Sequence, residues 1–325
     1  MRVRSLGATG ISISAVSFGA GPVSGLMTER KARRDRVETI RRAIEAGINW
    51  FDTAATYGDG ESERALGLAL LELRAQSRVH VATKVRLMPD ELDDVRQNVK
   101  ISVRASLERL RLDRMTLIQL HNSITRRRGD QHTSITPADV LGPGGVLDAF
   151  QDLKSEGIVR HFGLTGLGDM DSVREVVRCG EFETMQVCYN ILNPSAARRM
   201  PASFDGEDYG EIMRECAERT MGVIAIRVYA GGALTGQPPS AHTRRTRFFP
   251  LDLYERDMQR ALLLAGRLPP GVSTREVALR FALSNPDVST ALIGFAGPQQ
   301  IAEAVRFAEA GPLPPELAAQ LGKTD

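Results

Sequence analysis

Residues 48–85 read INWFDTAATYGDGESERALGLALLELRAQSRVHVATKV. The run Ile48-Asn49-Trp50-Phe51 predicts a strand, Ala65, Leu66, Leu68, Leu70 and Leu71 mark a helix over 61–75, and Val79–Thr83 predicts a second strand. Strand, helix and strand in so short a span form the unit of a parallel sheet. The alternation extends both ways. Upstream lie a hairpin over the first dozen residues, a strand at 15–18 and a helix at 34–47. Downstream, strands are expected at 117–120, 160–164, 184–188, 222–226 and 290–293. Helices are expected at 91–110, 146–156, 170–178, 208–219, 274–284 and 298–309. Gly157, Gly180 and Gly222 stand where helices should stop. Each strand is followed by a helix, with no composition break and no Ser/Gly-rich linker, which predicts an α/β fold: a single (β/α)8 TIM barrel over 1–325 with an N-terminal β-hairpin. A doubly wound sheet also alternates, but Phe18-Gly19-Ala20-Gly21-Pro22-Val23 lacks the third glycine of a phosphate loop and runs into proline instead of a helix.

Composition sets the class around this pattern. The 325 residues are 42% hydrophobic and 25% charged, as in globular proteins that bury a core without disulfides or metals. Lys and Arg number 42 against 40 Asp and Glu, a formal net charge of +2, so bulk electrostatics give no support to a nucleic-acid or membrane-surface role. Cys179, Cys188 and Cys216 lack paired spacing, which suits free thiols in a reducing compartment and matches no zinc pattern. No apolar stretch approaches the roughly 18 residues of a membrane span. Serines and glycines interrupt the N-terminal segment where a signal peptide needs a continuous apolar run. The expected location is cytoplasmic.

Two connections exceed the usual length of about two to six residues. One covers 123–145, after the fourth strand, and the other 230–253, after the seventh. Both leave carboxyl ends of strands, the barrel face that carries active sites, so each either closes over a ligand or runs as a plain surface loop.

In such a barrel the ends of strands two, three and four converge. They carry Asp52 and Tyr57 in FDTAATYG (51–58), Lys84 in ATK (82–84) and His121 in QLHN (119–122). Each alone has an ordinary alternative: Asp52 as a helix cap, Tyr57 as a packed amphipath, Lys84 reaching solvent, His121 as a satisfied core residue. Together they permit one coherent chemistry. A phenol with an ordinary pKa of about 10 is a weak acid at neutral pH. An adjacent ammonium favours its ionised form, and a carboxylate behind that ammonium keeps it charged and placed. A neutral imidazole can orient a carbonyl oxygen beside the phenol. The set suits a general acid protonating a carbonyl as hydride reaches its carbon. It needs no metal, and the 5 histidines form no metal-ligating pattern.

On FDTAATYGDGESERALG (51–67), VATKV (81–85), LIQLHN (117–122), FGLTG (162–166), MQVCYN (185–190), GGALTG (231–236) and VALRFALSNPDVSTALIG (277–294), the chain resembles the aldo-keto reductase family over essentially its whole length. The resemblance implies a barrel that binds NADP(H) or NAD(H) in extended form without a Rossmann fold. It also implies reversible hydride transfer between that cofactor and an aldehyde, ketone or alcohol. Tyr57 would be the general acid in reduction and the base in oxidation, Lys84 would tune it, Asp52 would pair with Lys84, and His121 would orient the carbonyl. Thr165, Gly166 and Gln186 would meet the nicotinamide. Further cofactor contacts are implied for Gly21, Asp52, Ile226, Arg227, Gly231, Leu234, Gly294, Gln300 and Glu303. Val23, Val85, Tyr57 and His121 would line the substrate pocket.

Several positions depart from the family pattern. Gly166 stands where many relatives have Asn, which removes one amide contact to the carboxamide. Ile226 stands where an aromatic commonly stacks on nicotinamide, and Tyr229 either replaces it from nearby or packs in the core. Gln300 occupies the place of an expected Arg, and residues 294–304 contain no Lys or Arg for a 2′-phosphate. Arg244, Arg245 and Arg247 either supply that charge as a clasp or are simply solvated. The choice between NADP(H) and NAD(H) is therefore undecided.

The expected activity is reduction of small aldehydes or ketones. The stretch SITPADVLGPGGVLDAF (134–150) is similar to the branch containing aldose and galactose dehydrogenases, so oxidation of a sugar to its lactone is a rival that uses the same residues. A redox sensor that binds the cofactor with little turnover is the rival from another class. Arg126, Arg127 and Arg128 either attract an acidic substrate or are solvated. The expected partner is a small carbonyl or sugar molecule, with no nucleic acid and no membrane, and nothing in the pattern points to one oligomeric state.

Overall fold

The computed structural model describes residues 1–29, 31–314 and 317; the expected span 1–325 also takes in residues 30, 315, 316 and 318–325, which lie outside that set. Two short strands, β1 (Val3–Ser5) and β2 (Ser12–Ser14), pair antiparallel as the N-terminal hairpin. Strands and helices then alternate: β3 (Val16–Gly19), α1 (Arg33–Glu45), β4 (Trp50–Asp52), α2 (Glu61–Glu72), β5 (His80–Val85), α3 (Val95–Leu110) and β6 (Met115–Leu120). After α4 (Pro137–Leu141) and α5 (Val146–Ser155) come β7 (Val159–Thr165), α6 (Met170–Arg178), β8 (Thr184–Cys188), α7 (Ile212–Glu218) and β9 (Gly222–Ile226). The chain continues through α8 (Leu251–Ala265), α9 (Thr274–Ser284), β10 (Val288–Gly294) and α10 (Pro298–Glu309). Strands β3 to β10 are parallel and close into a barrel, each beside its neighbour in sequence, with β10 returning to β3 where Ile293 stands opposite Phe18. The expected (β/α)8 barrel is the observed fold.

The period of two along each strand explains both the barrel's floor and its site. Trp50, Ala82, Leu117 and Ile224 point inward and form one apolar layer with Leu6, Ile11 and Ile13 of the hairpin segment. Two residues further along the same strands stand Asp52, Lys84 and Gln119, so the next layer up is polar. The alternate rows face outward: Phe51, Val81 and Ile118 join a core with helix residues such as Ile40, Leu66 and Val103.

Gly157 and Gly180 follow α5 and α6 with φ of +74° and +80°, as helix stops should. Gly222 differs from expectation. It is the first residue of β9, and a Cβ there would come within 2.6 Å of Leu6, so its small size admits the hairpin to the barrel floor.

The two long connections are more ordered than bare loops. Ile124 bridges to Ile135 and to Gly168, and Thr136 with Asp139 makes a reciprocal capping box at the start of α4. The segment expected as a loop over 230–253 opens with a 3₁₀ turn at Ala230–Thr235 and runs into α8. Helix α8 was not expected. It lies outside the one-helix-per-strand alternation and buries Tyr254, Ala261 and Leu264 against Ala230, Ala233 and Leu234 of the turn.

Candidate active site

The polar layer at the barrel mouth is a single hydrogen-bonded unit. Asp52 ends β4 and Lys84 lies one place before the end of β5, and both are about 1% exposed. Lys84 Nζ donates to Asp52 Oδ1, to the Thr53 carbonyl at 2.8 Å and to the Tyr57 hydroxyl at 3.4 Å. The other carboxylate oxygen, Asp52 Oδ2, accepts from Gln119 Nε2 at 3.0 Å and from Gln186 Nε2 at 2.7 Å. Asp52 is therefore no helix cap; α2 begins after Gly60. Tyr57 and His121 meet edge to face, with ring centroids 5.6 Å apart.

Electrostatics follow from this burial. Desolvation pushes the Asp52 carboxyl up, against the opposing Lys84 charge and the donors on its oxygens. Desolvation disfavours the Lys84 ammonium too, but Asp52 and Tyr57 outweigh it and hold Lys84 above the usual lysine value. Three donors, Lys84, Gln119 and Gln186, converge on one carboxylate, which is the arrangement of a charged pair. His121 is held well below the ordinary histidine range by burial and then by the charges of Arg86 and Lys84, so its imidazole is neutral at pH 7. Its Nδ1 is buried without a hydrogen-bond partner.

Asp52, Tyr57, His121 and Gln186 of this unit line a cavity of about 880 Å³, within the usual size of ligand sites, while Lys84 and Gln119 lie behind them. Of the expected positions, Gly21, Val23, Tyr57 and His121 line it. Thr165, Gln186, Ile226, Arg227 and Gly231 also line it, as do Gly294, Gln300, Arg245 and Arg247. Tyr229 also lines it beside Ile226. Gly231 has φ +66°, and a Cβ there would lie 3.4 Å from the Arg227 guanidinium, which packs 3.4 Å from the Phe249 ring centroid.

Other expected positions lie elsewhere. Val85 is 1% exposed and packs in the outer core, because it alternates with the inward-facing Lys84. Leu234 is fully buried under α8. Gly166 does not line the cavity, and its N–H donates to the Gln186 carbonyl at 2.8 Å. Glu303 pairs with Arg275 at 3.0 Å, and Arg244 is exposed with Nε on the Pro239 carbonyl at 3.4 Å. Arg126, Arg127 and Arg128 bond Asp171, Asp130 and Asp139 outside the cavity.

Three contributors escaped the sequence reading. Gln119 shares the inward row of Leu117, so strand periodicity could have found it. Arg86 and Phe248 could not be found that way, since their directions depend on how the strand ends and how the long loop crosses the mouth. The Arg86 guanidinium carbon lies 4.2 Å from the Phe248 ring centroid, and that ring lies 5.6 Å from His132 of the other long connection.

A profile of the Aldo/keto reductase family matches residues 15–325. L-galactose dehydrogenase of Arabidopsis thaliana is 31% identical over 310 residues, covering 94% of this chain and 87% of that protein. D-threo-aldose 1-dehydrogenase of a Pseudomonas species is 27% identical over 329 residues, covering 93% and 91%. Among solved structures, the holo form of an aldo-keto reductase from Bacillus halodurans matches with a TM-score of 0.73 at 26% identity, over 100% of this chain and 97% of that one.

Proposed function

The chain belongs to the aldo/keto reductase family of NAD(P)-dependent oxidoreductases, and on that premise we propose that it carries out hydride transfer at a carbonyl carbon with Tyr57 giving or taking the proton. The observation that carries this reading is the buried Asp52–Lys84 pair with its ammonium 3.4 Å from the hydroxyl of Tyr57, which lines the cavity. In reduction the phenol gives its proton to the carbonyl oxygen. Lys84 stabilises the phenolate that remains, and Asp52 keeps Lys84 charged and in place. The neutral imidazole of His121 orients the substrate oxygen beside the phenol. In oxidation the same residues act in reverse, Tyr57 accepting the hydroxyl proton.

Bound nicotinamide dinucleotide supplies or accepts the hydride. The residues present fit such a group. Thr165 Oγ1 donates to the Leu120 carbonyl at 3.1 Å and Gln186 Nε2 donates to Asp52, which leaves their oxygens to accept from a carboxamide. Arg227, clear of any side chain at Gly231, supplies charge for the phosphates, with Arg245 and Arg247 lining the same cavity. Gln300 Oε1 accepts from the Ala296 N–H at 2.7 Å, and residues 294–304 hold no cation for a 2′-phosphate, which supports acceptance of NADH as well as NADPH.

Oxidation of an aldose at its anomeric carbon is the second reading, favoured by the names of the two dehydrogenases above. The test follows NADPH and NADH oxidation with a reactive aromatic aldehyde, and NADP⁺ and NAD⁺ reduction with a panel of aldoses, in wild type and Tyr57→Phe. Tyr57→Phe is expected to keep its fold and lose about 10²- to 10⁴-fold in kcat/KM in both directions. Full turnover in that variant would overturn the mechanism, and the faster direction in wild type chooses between the readings.

A further inference from the structure

Among the described residues no carboxylate stands against Arg86, a cation that lines the cavity. It follows β5 directly, is partly buried, and lines the cavity together with Tyr57 and His121. One guanidinium nitrogen donates to the His121 carbonyl at 3.3 Å, and Nε is buried without a partner. Desolvation pulls the group down to about 10, and among the described residues only Tyr57 acts electrostatically in its favour. It therefore stays charged at neutral pH, and no described carboxylate serves as its counter-ion. This contrasts with Arg126, Arg127 and Arg128, each of which has a carboxylate partner.

A desolvated charge without a partner is costly, and a protein rarely keeps one that nothing neutralises. The planar fork of a guanidinium matches the two oxygens of a carboxylate or phosphate. Position separates this group from the one that holds the cofactor. In the ring of eight strands β5 stands directly across from β9, where Ile226 and Arg227 lie. We infer that the substrate carries an anionic group, a carboxylate or a phosphate, close to its reacting carbon, and that Arg86 grips it beneath Phe248. His132 and Phe248 bring the two long connections together above that point. The inference rests on the reading of Tyr57 and His121 as the reacting end.

The test compares kcat/KM within matched pairs, benzaldehyde against 3- and 4-carboxybenzaldehyde and glyceraldehyde against glyceraldehyde 3-phosphate, in wild type, Arg86→Gln and Arg86→Lys. The wild type is expected to prefer the anionic member of one pair by about tenfold or more, and the pair that shows this tells carboxylate from phosphate. Arg86→Gln is expected to bring that ratio close to one, and Arg86→Lys to retain part of it. A ratio near one in wild type, or an undiminished ratio in Arg86→Gln, overturns the inference. If Arg86→Gln does not fold, an undiminished ratio in Arg86→Lys does the same, because the fork is then irrelevant. Calorimetric titration of benzoate and inorganic phosphate into the NADP⁺-saturated protein gives a readout independent of turnover. If neither an aldehyde nor an aldose reacts, the Tyr57 reading fails by itself; anion binding that is lost in Arg86→Gln then still supports the inference, and no binding in wild type overturns it.

Discussion

Asp52 and Lys84 show what one buried ion pair does and does not contribute. Taking both charges out of water offsets most of their attraction, so the pair is a poor source of net stability. Removing one partner is different, because the other charge is left stranded. Lys84→Met leaves the Asp52 carboxylate with the amides of Gln119 and Gln186 alone. It is expected to cost about 3–5 kcal/mol in urea denaturation at pH 7, and adding Asp52→Asn is expected to restore most of that. A double variant no more stable than Lys84→Met would show that the loss is one of packing. The pair itself was legible because Asp52 and Lys84 stand in strand-end motifs whose ends must converge in a barrel. Arg86 was not, since nothing in Val85-Arg86-Leu87 marks a side chain that turns inward past the strand end.

Helix α2 packs on the end of α3 more closely than its amphipathic pattern suggests. Gly67 lies in its middle, and a Cβ there would come within 2.5 Å of the Leu110 carbonyl oxygen and 2.6 Å of its carbon. Alanine gains about 1 kcal/mol in helix propensity over glycine. Overpacking against backbone, which cannot rotate away, costs about 1–3 kcal/mol. Gly67→Ala is therefore expected to lower stability by about 1 kcal/mol, read as a lower urea midpoint with an unchanged slope. A raised midpoint would mean that α2 and α3 can separate without loss. At this scale most helices and strands were readable from period alone, to within a few residues at their ends. Helix α8 escaped because its partners, Ala230, Ala233 and Leu234, form a surface that exists only once the preceding turn has folded.

The whole barrel depends on its floor as well as its mouth. The chain's 1 tryptophan, Trp50, is fully buried among hairpin residues Leu6, Ile11 and Ile13. Deleting residues 2–11 exposes that layer, so tryptophan emission is expected to shift to the red and the urea midpoint to fall. Unchanged emission would mean that another segment closes the floor. The sequence alone determined the alternation of strands and helices, and hence the barrel, because burying both faces of a parallel sheet demands apolar runs at regular spacing. It also determined which four residues meet, because strand ends in a closed barrel share one mouth. Only the tertiary structure decided that Val85 and Leu234 face the core, that Glu303 is already paired with Arg275, and that Arg86 stands under Phe248 with no carboxylate partner among the described residues. Those outcomes turn on side-chain direction at strand ends and on the path of long connections across the mouth, which depend on contacts distant in sequence and leave no periodic trace.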